Sequence, residues 1–144
     1  MKVVIQRVQQ AEVCVGGQQV GAIDRAGLLV LVGITHTDTP EIVKKLAEKT
    51  WKLRLLEGEK SCSDIGAPIL AVSQFTLYAD SRRGRRPSWS AAARQEVAEP
   101  LFNSYVQYLE ELGAEVSQGI FGAEMQVSLI NDGPVTIILD SDEL

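Results

Sequence analysis

Alternation of apolar and polar positions opens the chain. Val3 to Val8 and Ala11 to Val15 switch faces along their length, as half-buried strands do. Gly16-Gly17 supplies a turn, Gln18 to Ile23 follows, and the unbroken apolar run Gly27 to Ile34 predicts a strand covered on both faces. The first quarter therefore reads as an antiparallel meander. The period then changes: Asp38-Thr39-Pro40-Glu41 carries a capping oxygen, a proline for the first helical position and a first-turn acid, and Ile42, Val43, Leu46, Ala47 and Thr50 continue one face to an end near Leu56.

Gly58 to Pro68 reads as a polar loop, and Ile69 to Tyr78 as the longest strand candidate, its second half polar for a central strand. A second helix is expected from the early nineties to Leu112, with Val97, Leu101, Tyr105, Tyr108, Leu109 and Leu112 inward, Pro100 in its first turn or kinking it, and Gly113 ending it. Glu115 to Gln118, Met125 to Ile130 and Val135 to Leu139 complete the strands, and the acidic tail is expected to fray. The predicted architecture is one α+β domain over residues 1–144: a largely antiparallel or mixed, barrel-like sheet packed with two main helices. No repeat, low-complexity segment or interdomain linker divides it.

Composition adds limits rather than a function. With 45% hydrophobic and 23% charged residues, the 144-residue chain is long enough for a real core. No run approaches a membrane span, and Met1 to Arg7 alternates instead of resembling a signal peptide, so a cytoplasmic protein is expected. Cys14 and Cys62 lack C-x-x-C spacing, and there is one histidine, His36, so neither a metal nor another cofactor is expected. A net charge of −5 argues against gripping long nucleic acid such as DNA by its phosphates. It leaves room for a local basic patch, and Arg82-Arg83-Gly84-Arg85-Arg86 gathers four of the fourteen Lys and Arg residues. Guanidinium forks suit phosphate and Trp89 suits stacking on a base; a solvated loop with an aromatic anchor is the alternative.

Familiar catalytic sets are missing. His36 near Asp38 has no nucleophile elbow, and no H-x-x-x-H, no phosphate-binding G-x-x-x-x-G-K-[ST] and no convincing carboxylate pair occurs. What remains is hydroxyl and amide chemistry: Ser73, Gln74, Thr76 and Tyr78 on one strand end, Asn131 and Thr136 around Asn131-Asp132-Gly133-Pro134-Val135-Thr136. Those groups orient a substrate well but are poor general bases. In the latter segment Pro134 lacks an amide donor and restricts Gly133, which rules out a simple two-residue hairpin; Gly133-Pro134 is one of five X-Pro bonds open to the cis form. Such a loop either presents main-chain atoms to a ligand or is a tight turn.

Ser73-Gln74-Phe75-Thr76-Leu77-Tyr78 and Asn131-Asp132-Gly133-Pro134-Val135-Thr136 together resemble the two signature motifs of the D-aminoacyl-tRNA deacylase family. Similar segments run through nearly the whole chain: Gln6-Arg7-Val8, Val32-Gly33-Ile34, Gly84 to Ser88 and Gly119 to Met125. It departs from the family pattern at Arg85, where asparagine is frequent, at Trp89, where phenylalanine is, and in a shorter loop around Gly58 to Pro68. The resemblance implies a homodimer that hydrolyses the ester joining a D-amino acid to the terminal ribose of tRNA. It implies a cis Gly133-Pro134 unit reaching into the partner's pocket beside Thr76 and leaving no room for an L substituent, so that glycyl-tRNA is cleaved too.

On the same basis Gln74, Phe75 and Thr76 form the catalytic set. Amides around Phe75 and Thr76 hold the oxyanion, Ser73 and Gln74 place the terminal adenosine, and Met125 and Asn131 belong to substrate binding. Thr76 as nucleophile and a ribose hydroxyl assisting hydrolysis both stand open, as do bracing of the Gly-Pro loop by Arg7 and an ordinary strand-face ion pair. Two other readings compete: a non-catalytic module binding aminoacyl-tRNA ends, and a general small-ester hydrolase.

Overall fold

In a computed structural model that describes all residues from Met1 to Leu144, the six strands are β1 (Lys2–Val15), β2 (Gln18–Ile23), β3 (Gly27–Gly33), β4 (Ile69–Ser73), β5 (Val116–Gln118) and β6 (Gln126–Asp140). The helices are α1 (Pro40–Lys52), α2 (Cys62–Ile65) and α3 (Gln95–Glu111). No helix is long and apolar enough to cross a membrane. The sheet runs β2-β1-β3-β4-β5, with β6 on the other side of β1. Pairings of β1 with β2, β3 and β6 are antiparallel, whereas β3-β4 and β4-β5 are parallel. The sheet curls nearly closed, because a Cβ at Gly21 of β2 would sit 2.4 Å from the Gln118 carbonyl oxygen of β5. Only glycine lets those two backbones approach.

The opening meander is corrected by this topology. Residues 2–15 are one strand rather than two, and β3 pairs with β1 instead of β2. β3 is buried along nearly all its length, as its apolar run predicted, since α1 and α3 cover one face and β-strand residues the other. The larger core cluster takes Ile5, Val30, Val43, Leu46, Ile69, Phe102 and Tyr105; the smaller takes Val8, Val13, Leu29, Leu70 and Val72.

α1 starts as predicted, with the Thr39 hydroxyl accepting from the Ile42 amide, but ends at Lys52, before Leu56. The expected loop 58–68 contains the short α2, whose capping box joins Ser61 and Asp64. In α3, Val97 faces solvent and Phe102 takes the core position, while Leu101, Tyr108 and Leu112 pack at its margin; Pro100 lies inside the helix rather than in its first turn. The tail does not fray where expected: Ser141–Glu143 forms a 3₁₀ turn, and the Ser141 amide donates to the Met1 carbonyl at 2.9 Å.

Two further corrections shape the candidate site. The strand expected over Ile69 to Tyr78 stops at Ser73, and Phe75–Tyr78 is a 3₁₀ turn. The Gln74 amide still donates to Val32 O at 2.7 Å, then the chain turns over Gly33, where a Cβ would meet Leu77 Cβ at 2.9 Å. The 131–136 segment does not reverse the chain either. Gln6 faces Thr136 and Val8 faces Asn131, so Asp132 to Val135 bulge out opposite Arg7 in one continuous β6.

Candidate active site

The end of β4, the turn after it, the start of α3 and the segment before β6 converge on a cavity of about 370 Å³. Ser73, Gln74 and Phe75 form one wall. Ala93, Gln95 and Ala98 form a second, and Phe121, Gly122, Ala123 and Met125 a third, with Val32, Ile34, Val72 and Val127 beneath. The lining is mainly apolar with a few side-chain amide and hydroxyl groups, and no side chain in it titrates. Phe121 is set against Phe102 of α3, ring centroids 6.1 Å apart. Phe75 stands half exposed at the rim, edge to face with Trp89 at 5.5 Å.

Thr76 directly follows the cavity wall, and its hydroxyl accepts a short hydrogen bond from the Gln74 side-chain amide. No histidine, carboxylate or amine bonds to that hydroxyl. The amides of Phe75 and Thr76 open the 3₁₀ turn, where a helix supplies no acceptor of its own. Tyr78, at the far end of the turn, has its phenol pKa raised by burial first and then by Asp38, Asp140 and Asp142. Lys2 Nζ lies 4.9 Å from its ring centroid. Tyr78 is thus a neutral packing group.

Arg7, Asn131, Gly133 and Pro134 gather at a second place, the β6 bulge, and do not line the cavity of their own chain. Arg7 Nε donates to the Asp132 carbonyl at 3.0 Å and lies 3.2 Å from its carboxylate, while Nη1 donates to Leu55 O at 3.2 Å. Asn131 Nδ2 closes the neck by donating to Arg7 O at 2.9 Å and Val135 O at 3.3 Å. The Thr136 hydroxyl donates to Gln6 Oε1. The Gly133-Pro134 bond is cis, and both residues are exposed. Side chains on either flank hold the bulge while its tip stays free.

Ser73, Gln74, Phe75 and Met125 are therefore brought together, with Thr76 beside them, and the other four expected residues form a separate projection. Sequence reasoning did not single out Gln95, Ala98, Phe121 and Ala123 as cavity residues. The small Ala93 and Ala98 at the start of a helix otherwise rich in large apolar groups were the available signal. His36 lies outside the cavity, with Nε2 2.7 Å from Ser90 O. Cys62 is buried, which pushes its thiol up to about 12, and no three His, Cys, Asp or Glu side chains cluster as metal ligands would.

Comparison with known proteins bears on this arrangement. The family model for D-Tyr-tRNA(Tyr) deacylase matches residues 4–140. A D-aminoacyl-tRNA deacylase of Cutibacterium acnes is 59% identical over 143 residues, 99% of each chain. One of Thermobifida fusca is 60% identical over 140 residues, 97% of this chain and 99% of the relative. Among solved structures, the c-Myc DNA Unwinding Element Binding Protein superposes with a TM-score of 0.87 at 42% identity, over 97% of this chain and 98% of the other. A probable eukaryotic D-amino acid tRNA deacylase gives 0.83 at 15% identity, over 96% and 97%, a likeness of fold.

Proposed function

The chain belongs to the D-Tyr-tRNA(Tyr) deacylase family, and from that premise we propose how it acts as a D-aminoacyl-tRNA deacylase. The substrate is the ester between a D-amino acid and the terminal ribose of tRNA; the products are the free amino acid and tRNA. One observation carries the mechanistic reading. The cavity beside Thr76 offers amides and hydroxyls but no titrating side chain, so it is built to position rather than to exchange protons. That suffices for an activated ester, where orientation of water and stabilisation of the oxyanion supply most of what the reaction needs.

In this reading the mainly apolar cavity holds the terminal adenosine, with Ser73 and Gln74 placing the base and ribose and Met125 packing beneath. Backbone amides of Phe75 and Thr76 face the developing oxyanion. Thr76 is not acylated, because no base is bonded to its hydroxyl; a ribose hydroxyl of the substrate assists the attacking water instead.

Chirality is read by a second copy of the chain. The exposed Gly133-Pro134 tip, held by Arg7 and Asn131, enters the partner's pocket with main-chain atoms and leaves no space for an L substituent. The open edge of β6, with Ile130 and Ile138 exposed beside the bulge, supports such a homodimer. A steric filter of this kind has no grip on glycine, so glycyl-tRNA is also a substrate. The DNA-related name of one solved neighbour suggests a different partner, but a net charge of −5 opposes binding along a duplex.

The reading is tested by release of labelled amino acid from D-tyrosyl-tRNA and glycyl-tRNA, beside free D-tyrosine methyl ester. Both charged tRNAs are expected to be cleaved and the free ester spared. Protection without release would favour a binding module, and equal cleavage of the free ester a general esterase. Failure to cleave glycyl-tRNA at high enzyme concentration would count against a purely steric filter.

A further inference from the structure

All ten residues from Ser81 to Ser90 are exposed, in a loop whose neck is pinned by reciprocal backbone hydrogen bonds of 2.8 Å between Asp80 and Ser88. Inside it, the Asp80 carboxylate accepts from the Arg82 amide at 3.0 Å, from Nε at 2.9 Å and from Nη2 at 2.7 Å. Those bonds lower the Asp80 pKa to about 2 and neutralise Arg82 as a member of the loop's frame. Arg83, Arg85 and Arg86 have no carboxylate within ion-pair distance. Three uncompensated arginines thus fall within four positions of one exposed loop, on a chain whose net charge is −5.

The position of this loop is as informative as its charge. Its outgoing segment is fastened to the residues just after β3, with Thr35 Oγ1 donating to Ala91 O at 2.6 Å and the Ala93 amide to Ile34 O at 2.9 Å, and then supplies Ala93 and Gln95 to the cavity wall. Trp89, on the same segment, meets Phe75 of the cavity rim. Both rings remain open to solvent, at 44% and 56%. An aromatic pair at the cavity rim, continued in the chain by an exposed loop of unpaired arginines, has the two parts of a single-strand nucleic-acid platform: faces for stacking and cations for the backbone.

We infer that the Arg83-Arg85-Arg86 loop binds the phosphates of the single-stranded acceptor end of tRNA as it leaves the cavity, with Phe75 and Trp89 stacking on the bases that precede the terminal adenosine. This inference rests on the deacylase reading. The contact is to backbone charge and is indifferent to base identity, because none of the three arginines is locked by a protein partner into a base-reading geometry. The loop thereby makes the enzyme prefer esters carried on tRNA over the same ester on a lone nucleoside.

The test compares the unaltered protein with the Arg83→Glu, Arg85→Glu, Arg86→Glu triple variant on D-tyrosyl-tRNA and on 2′(3′)-O-D-tyrosyladenosine, which has no phosphate. On the tRNA, kcat/KM is expected to fall roughly tenfold or more near 0.1 M salt, mostly through KM, and the slope of log KM against log salt to drop by about 2, from three charges at ~0.7 each. On the nucleoside ester the two proteins are expected to agree within about twofold. Lysine at the same positions is expected to restore much of the loss, since an ammonium also attracts phosphate. Equal rates on tRNA, or equal loss on both substrates, would overturn the inference. If the unaltered protein cleaved neither substrate, the deacylase reading itself would fall and the loop's role with it.

Discussion

At Thr76 the hydroxyl accepts from Gln74 and meets no base, and that contact decides what the residue is able to do. A nucleophile needs a partner to take its proton, whereas a positioning group needs only a fixed place. Thr76→Ala is therefore expected to keep turnover on D-tyrosyl-tRNA within about tenfold of the unaltered enzyme, an orientation effect. Complete loss in a protein with an unchanged circular dichroism spectrum would favour covalent catalysis. The hydroxyl and amide character of Ser73, Gln74 and Thr76 was legible in the sequence because nothing titratable competed with it. That Arg7 bonds the Asp132 carbonyl was not legible, since 125 residues separate them and only the β1-β6 register brings them together.

Among the elements, α1 and α3 are tied through a buried polar contact: Tyr105 donates its hydroxyl to Thr50 Oγ1 at 2.9 Å, and Thr50 donates to Leu46 O at 2.8 Å. Removing one end or the other has unequal consequences. Tyr105→Phe leaves Thr50 still bonded to Leu46 and is expected to cost about 1 kcal/mol. Thr50→Val keeps the shape but leaves a buried phenol hydroxyl without an acceptor, at about 1–3 kcal/mol. Urea unfolding of the two variants checks the order; a larger loss for Tyr105→Phe would contradict it. The start of α1 was readable, because Thr39 and Pro40 act locally; the short α2 was not, since four residues carry no periodicity. Where β4 ended was not: Phe75 to Tyr78 has strand composition, and it leaves the sheet because Gly33 lets the turn pack against β3, a tertiary effect. Asn131, Asp132 and Gly133 have turn composition, so local pattern predicts a turn between two strands there; only the pairing of both halves with β1, a tertiary fact, makes the segment a bulge in one strand.

For the whole molecule, periodicity sufficed for an α+β domain with two main helices, while closure depends on β2 meeting β5 at Gly21, a contact without sequence signal. The expected site residues are likewise divided: Ser73, Gln74, Phe75 and Met125 line a cavity, while Arg7, Asn131, Gly133 and Pro134 form a braced projection elsewhere. In the proposed homodimer the projection of one copy meets the cavity of the other. Placing a charge on the exposed edge strand, as Ile138→Asp at a residue 69% exposed, is expected to yield a folded monomer by sedimentation with activity on D-tyrosyl-tRNA lowered at least tenfold. An unchanged sedimentation coefficient would move the interface elsewhere. The central claim, that main-chain atoms of a Gly133-Pro134 projection read the α-carbon, is tested most directly by the ratio of hydrolysis rates for D- and L-tyrosyl esters on one and the same tRNA. Rapid release of the D-amino acid is expected, with an L ester that decays at its uncatalysed rate; comparable enzymatic rates for the two would rule out a main-chain filter at the α-carbon.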